Sequence, residues 1–247
     1  MTTPLSVLVT GSAGRIGKAT CQELKQRGHG VRGFDRVLTP DVEDSVIGDL
    51  GDLGDVEMAM EGMGAVVHLA ATPDEADFMS LLLPNNVVGL YNVMEGARKQ
   101  GVKRLVLAST GQVVSGHDTP LPITEDMHPS PRNWYASTKL LTEAVGQVYA
   151  HQYEMSVIVV RPGWCPRERE QVDAISKSEA AQNVYFSPAD AGRCFACAVE
   201  AEGDIRFTIL FCTSIPVSRT LFDISKAKRI IGYEPQDKWP DGIEVVE

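Results

Sequence analysis

Short apolar runs without a polar face alternate along this chain with longer stretches whose apolar residues recur at helical spacing. Residues 5–10, 30–34, 46–48, 65–70, 104–108 and 156–160 read as strands buried on both sides. Between them, residues 18–27, 55–61, about 75–100 and 134–153 read as helices, the first ending at Gly28, where a glycine naturally caps. Strand and helix in alternation predict an α/β, doubly wound parallel sheet with right-handed crossovers, a Rossmann fold. After Arg161 the pattern weakens. Residues 163–183 read as polar and irregular, 188–200 as a helix, 207–212 as a strand and 224–231 as a short helix before a Pro-containing tail. The expectation is a core of residues 1–162 carrying a catalytic helix, with 163–247 a small region packed on that core and covering the substrate, because ligands of open α/β sheets bind at the carboxyl ends of the strands. No repeat, low-complexity tract or linker divides the chain.

Composition narrows the classes. Of 247 residues, 43% are hydrophobic and 23% charged, as in an ordinary globular protein, and no segment approaches a membrane span. The first ten residues lack a basic region and run straight into a strand, so no leader peptide and a cytoplasmic location are expected. Thirty-three acidic against 23 basic residues, a formal charge of −10, disfavour nucleic acid and anionic lipid as partners. Five cysteines in no framework spacing suit a reducing compartment. Cys194 and Cys197 form a C-x-x-C, but in an apolar helical stretch without a second Cys or His pair, so we expect a packed helix and no metal.

The chemistry lies in two motifs. Gly11, Ser12, Ala13, Gly14, Arg15, Ile16 and Gly17 follow the first strand and open the first helix, where small residues let backbone amides approach the phosphates of a dinucleotide. The spacing departs from Gly-x-Gly-x-x-Gly, but Asp35 at the end of the second strand can bind the adenosine ribose hydroxyls and favours NAD, while Arg36 beside it leaves NADP open. Asp49, followed by Leu50, can serve the adenine or cap a helix. Leu69 and the small residues Ala70 and Ala71 suit a backbone passing close to the cofactor, and His68 before them reads as a buried, satisfied histidine. Of Asn85 and Asn86, one is expected to have a polar task, since asparagine has no advantage inside a helix. Downstream, Tyr135 and Lys139 stand four apart on one helix face, where the ammonium favours the ionised phenol. A phenolate there can take the proton of an alcohol as hydride leaves. Ser109 and Thr110, at the end of the fifth strand, can hydrogen-bond the substrate oxygen.

In this order the residues resemble the extended short-chain dehydrogenase/reductase superfamily of sugar epimerases, dehydratases and dehydrogenases, over nearly the whole chain. The resemblance implies roles for Gly11, Gly14, Gly17, Asp35, Asp49, Leu50, Leu69 to Ala71 and Asn86 in NAD binding, and for Thr110, Tyr135 and Lys139 in chemistry, with Lys139 also touching the nicotinamide ribose. Only 86 residues follow Arg161, which favours a small free sugar over a nucleotide sugar. Among shorter members the chain looks most like uronate dehydrogenases, which oxidise the anomeric hydroxyl of a uronic acid with NAD. It departs from them around the substrate, where Thr72 and Pro73, Gly111 and Gln112, and the offset Arg167 and Arg169 are the candidate contacts. The resemblance also implies a homodimer or higher homo-oligomer through apolar stripes that include Leu81, Leu82, Val88 and Tyr91, and Leu140, Leu141, Val145 and Val148. Rival readings are an epimerase or reductase with the same site and a non-catalytic nucleotide sensor.

Overall fold

The computed structural model describes residues 3–117 and 122–245. Seven parallel strands form one sheet in the order β3-β2-β1-β4-β5-β6-β7. They are β1 (Ser6–Thr10), β2 (Gly30–Asp35), β3 (Asp44–Ile47), β4 (Ala65–His68), β5 (Arg104–Ala108), β6 (Ser156–Pro162) and β7 (Phe207–Cys212). The chain runs outward from β1 through β2 to β3, then returns to the other side of β1 with β4. The reversal between β1 and β4 opens a crevice at their carboxyl ends, where open α/β sheets bind ligands. The expected doubly wound fold is therefore present, and the C-terminal portion adds the edge strand β7 to the same sheet.

Alternate residues of each strand feed two apolar layers. Val7 and Val9 of β1 join Val67, Val106 and Ile158 under α1 (Arg15–Gln26) and α7 (Pro188–Glu200), with Leu24, Phe195 and Val199 among the helical partners. Leu8 joins Val66, Leu105 and Val157 on the opposite face, under α2 (Leu53–Met60), α3 (Gly89–Lys99) and α4 (Trp134–Gln152), through Met60, Val93 and Tyr149. Because both faces are covered, the strands need no polar alternation. The helices α1 and α7 pack at backbone distance: a Cβ on Gly192 would stand 2.6 Å from the Ala19 carbonyl oxygen. Arg104 fixes the end of α7, donating to the carbonyls of Ala198 at 2.8 Å, Ala201 at 3.0 Å and Glu202 at 2.7 Å, where the carbonyl end of a helix favours a cation.

Three elements differ from expectation. Residues 163–183 are not irregular throughout, since they carry α5 (Arg169–Ser176) and α6 (Glu179–Asn183); α5 buries only Val172 and Ile175. The predicted helix at about 75–100 starts as a π-helix over Phe78–Val88 before continuing as α3. Pro84 lies inside the wide winding. Its missing amide and its ring are incompatible with an α-turn there, and bonds of five-residue span take over, Leu82 donating to Asp77 at 3.1 Å and Gly89 to Pro84. Strand β4 ends at His68, so Leu69 to Ala71 leave the sheet and enter the crevice. Cys194 is buried in the core, as the packed-helix reading has it. Among the described residues no helix is long and apolar enough to cross a membrane. A further short helix, α8 (Ser225–Ile231), stops at Gly232 with φ 66°.

Candidate active site

A cavity of about 530 Å³ occupies the crevice. One wall is the glycine turn. Gly11 has φ 71°, and α1 starts on Gly14, which has no side chain to cap it. First-turn amides such as those of Ile16 and Gly17 thus lack a side-chain acceptor and form an anion cradle. A Cβ on Gly17 would stand 2.1 Å from the Gly11 carbonyl oxygen, so the turn closes only around glycine. Asp35 completes this half: its Oδ2 accepts from the Ala13 amide at 3.1 Å and its Oδ1 from the Arg36 amide at 2.7 Å. Two bonds to backbone amides orient the carboxylate and leave lone pairs for a ribose diol. The cradle and the oriented carboxylate fit a dinucleotide.

The other wall carries the reactive groups. Tyr135 and Lys139 lie one turn apart on α4, whose first turn is capped by Asn133 accepting from the Ala136 amide at 2.7 Å. Lys139 is buried, donates from Nζ to the Ala108 carbonyl at 3.0 Å and stands 5.9 Å from the Tyr135 ring centroid. Burial pushes the ammonium down to about 8. The Tyr135 phenol is pushed up to about 12, chiefly by burial and then by the charge of Asp74, while Arg167 and a hydrogen bond with Thr110 pull it the other way. Burial is thus the first influence on the resting phenol.

Ser109 lines the cavity and donates to Glu143 Oε1 at 2.6 Å. Glu143, two turns beyond Tyr135 on α4, also receives Arg161 in a fork, Nε to Oε1 and Nη2 to Oε2, both at 2.8 Å. Both members of this pair are almost fully buried, and the guanidinium lies 5.2 Å from the Phe211 ring centroid. The Ser109 proton is thereby committed to Glu143, so its oxygen faces the cavity as an acceptor. No local sequence signal announces Glu143 or Arg161, which are 18 residues apart and meet only through packing of α4 on β6.

Most of the sequence-predicted residues meet at this cavity, and several do not. Gly11, Gly14, Arg15, Ile16, Gly17, Asp35, Arg36, Asp49, Leu50, Leu69, Ala70, Ala71, Thr72, Ser109, Tyr135, Lys139 and Arg167 line it. Ser12 is buried beneath the turn, its hydroxyl paired with that of Thr39, and Ala13 acts through its amide. The Arg15 guanidinium donates to the Gly242 carbonyl at 2.8 Å. The helix-capping duty weighed for Asp49 belongs to Asp52, which accepts from Gly54 at 2.7 Å and Asp55 at 3.2 Å. Asn86 is spent on structure, bonding the Thr72 amide at 2.7 Å, the Thr72 carbonyl at 3.0 Å and Thr138 at 3.1 Å. Its neighbour Asn85 lines the cavity instead and donates to the Thr72 hydroxyl at 2.7 Å. Thr110 caps the 3-10 turn Gly111–Val114, and Gly111 packs against Phe222. Gln112 reaches Asp74 and Asn133. Arg169 is set apart: it is 67% exposed on α5 and pairs with Asp173 at 3.5 Å. His68 is the satisfied histidine expected, 2.8 Å from the Thr10 hydroxyl and pushed down to about 3 by burial and by Lys139.

A parallel sheet that reverses at β1, a glycine cradle beside an oriented aspartate and a Tyr-Lys helix across the crevice define a dinucleotide-binding α/β protein. The model of the NAD dependent epimerase/dehydratase family matches residues 7–164, and the chain belongs to that family. It is 30% identical over 252 residues to the NAD-dependent glucose-6-phosphate dehydrogenase of Haloferax volcanii, covering 94% of this chain and 93% of that one. With L-arabinose 1-dehydrogenase (NAD(P)(+)) of the same organism the identity is 29% over 253 residues, covering 94% and 96%. A solved structure described as a mutated uronate dehydrogenase superposes with a TM-score of 0.82 at 26% identity, over 99% of this chain and 86% of that one.

Proposed function

We propose that this protein is an NAD-dependent dehydrogenase of a small free sugar or sugar acid, oxidising a hydroxyl, the anomeric one by the resemblance to uronate dehydrogenases, with Tyr135 as the base. The observation that carries the reading is the Tyr135 phenol, bonded to Thr110 and one turn from Lys139, across the cavity from a cradle that fits a dinucleotide. Bound NAD supplies the hydride acceptor. The α1 amides and Asp35 would hold its phosphates and adenosine ribose, with Asp49 and Leu50 available to its adenine. Tyr135 takes the hydroxyl proton while the carbinol C–H bond breaks and the C=O bond forms. Thr110 donates to the phenolate oxygen and so favours its ionised form, and Lys139 supplies a positive charge on the same face. Ser109, held by Glu143, accepts from a substrate hydroxyl. The outer faces of the π-helix, α3 and α4 leave Val88, Tyr91, Leu141 and Val148 exposed, which supports pairing of two copies, to be checked by sedimentation; Leu81 of the expected stripe lines the cavity instead.

The test is NADH absorbance with purified protein, NAD or NADP, and a panel of aldoses, uronic acids and sugar phosphates. Tyr135→Phe should lower kcat by about 10²-fold or more, the usual size of a general-base contribution, with little change in dinucleotide affinity. Unchanged turnover in that variant would exclude Tyr135 as the base.

A further inference from the structure

At the substrate end of the cavity, the loops following β4 and β6 meet in an ion pair. The Arg167 guanidinium, which lines the cavity, donates from Nη2 to Asp74 Oδ2. Gln171 Nε2 donates to the same oxygen at 3.3 Å, and Gln112 Nε2 reaches Oδ1 at 3.5 Å. Gln112 is itself oriented by Asn133 Nδ2, which donates to its Oε1 at 2.9 Å. Asp74 is thus held from three elements. A second carboxylate sits on the same loop, Glu75, whose Oε2 accepts from the Tyr135 amide at 3.4 Å.

The charge count at this end decides what can bind. Arginine suits a sugar carboxylate or phosphate because its fork meets two oxygens at once. Here the guanidinium already faces a carboxylate. An anionic sugar would have to displace Asp74 and then lie beside it and Glu75, so the gain at Arg167 is offset by repulsion from two like charges. A neutral sugar would meet no such conflict: its hydroxyls could donate to Asp74 without breaking the pair, and the second amide protons of Gln112 and Gln171 would be left for its oxygens. The pair is half-exposed, with side-chain exposures of 38% and 50%, and so open to a ligand. The charge of Asp74 also reaches the phenol, since it raises the Tyr135 pKa. Glu75 next to it touches the Tyr135 backbone, and Arg167 lines the same cavity as Tyr135, so the Asp74 carboxylate stands at the rim of the reacting centre.

We propose that the Asp74–Arg167 pair makes this cavity selective for an uncharged sugar over the corresponding uronic acid or sugar phosphate, with Asp74 accepting hydrogen bonds from substrate hydroxyls. The inference rests on the sugar-dehydrogenase reading and narrows its substrate class. The test compares matched pairs, D-galactose with D-galacturonate and D-glucose with D-glucuronate and glucose 6-phosphate. Turnover is followed with NAD, and binding to the NADH-loaded protein by calorimetry. Wild type should favour the neutral member by about tenfold or more in either measurement, the size expected for one unscreened like charge at a protein surface. Asp74→Asn keeps the shape and the left-handed backbone that Asp74 adopts at φ 58°, which asparagine tolerates. It should shift the ratio toward the anionic member by a similar factor, whereas Arg167→Gln should deepen the neutral preference.

Equal or better use of the uronate or phosphate by wild type overturns the inference, and so does a ratio unmoved by Asp74→Asn. Selective binding of neutral sugars with no NADH formed from any of them would instead defeat the dehydrogenase reading and leave the charge selection standing. Failure of every sugar to bind would overturn both.

Discussion

Tyr135 begins from a protonated state. Its phenol is pushed up to about 12 while Lys139, one turn away, is pushed down to about 8, and in both cases the first cause is removal from water. Oxidation of an alcohol needs the phenolate, whose population grows with pH, so kcat/KM in the oxidative direction should climb through neutral pH. Removing the negative charge at position 74 stabilises the phenolate, and Asp74→Asn should move that ascending limb to lower pH. A limb that stays in place would detach Asp74 from the reacting oxygen. Glu143 shows a different kind of dependence. It receives Ser109 and both prongs of Arg161 in a nearly dry interior, and Glu143→Gln leaves a buried guanidinium without its counter-charge. Breaking a buried pair in this way costs about 3–5 kcal/mol. Urea unfolding should report a loss of that order, whereas a loss within about 0.5 kcal/mol, as expected for a surface change, would mean that the pair contributes little.

The π-helix over Phe78–Val88 is the element that aims the two asparagines. Its wide winding lets consecutive residues serve different partners, Asn85 the Thr72 hydroxyl and the cavity, Asn86 the Thr72 backbone and Thr138. Pro84→Ala restores an amide and permits an α-turn, which would rotate the following residues by roughly 100°. Activity should fall by about tenfold or more, since small misplacements near reacting groups are costly, without loss of thermal stability. Undiminished activity would separate the winding from the site. The winding also marks where sequence reading stops. Strands 104–108 and 207–212 and helix 188–200 are legible to the residue because their apolar pattern alone decides them. A helical period cannot distinguish spans of four from spans of five residues, so 75–100 reads as one ordinary helix. Helices α5 and α6 are short and bury few side chains, which leaves little pattern to see. In the site, the glycine turn, Asp35 and the Tyr-Lys pair are local and legible. Asp74 and Arg167 stand 93 residues apart and meet only once the sheet brings their loops to one rim.

Over the whole molecule, the parallel sheet gathers the ends of β1, β2, β4, β5 and β6 into one crevice, so residues from nearly the full length of the chain share a cavity. Helix α1, which carries the glycine cradle, is supported from behind by α7, with Gly192 against the backbone of Ala19, 173 residues earlier. Gly192→Val would force side-chain atoms into that contact and displace α1 relative to the sheet, with a cost of roughly 1–3 kcal/mol typical of overpacking. The cradle moves with its helix, so the expected result is weaker dinucleotide binding and a lower thermal midpoint, measured together by calorimetry and melting. Equal affinity in the variant would show that the cradle is insulated from α7. Because ligand binding stabilises only the folded state, by an amount that grows with the logarithm of its concentration, added dinucleotide should recover part of the lost midpoint. A lesion on the far side of the sheet from the reacting groups would then have a severity that tracks the cell's dinucleotide pool, mild when the pool is full and disabling when it is drained.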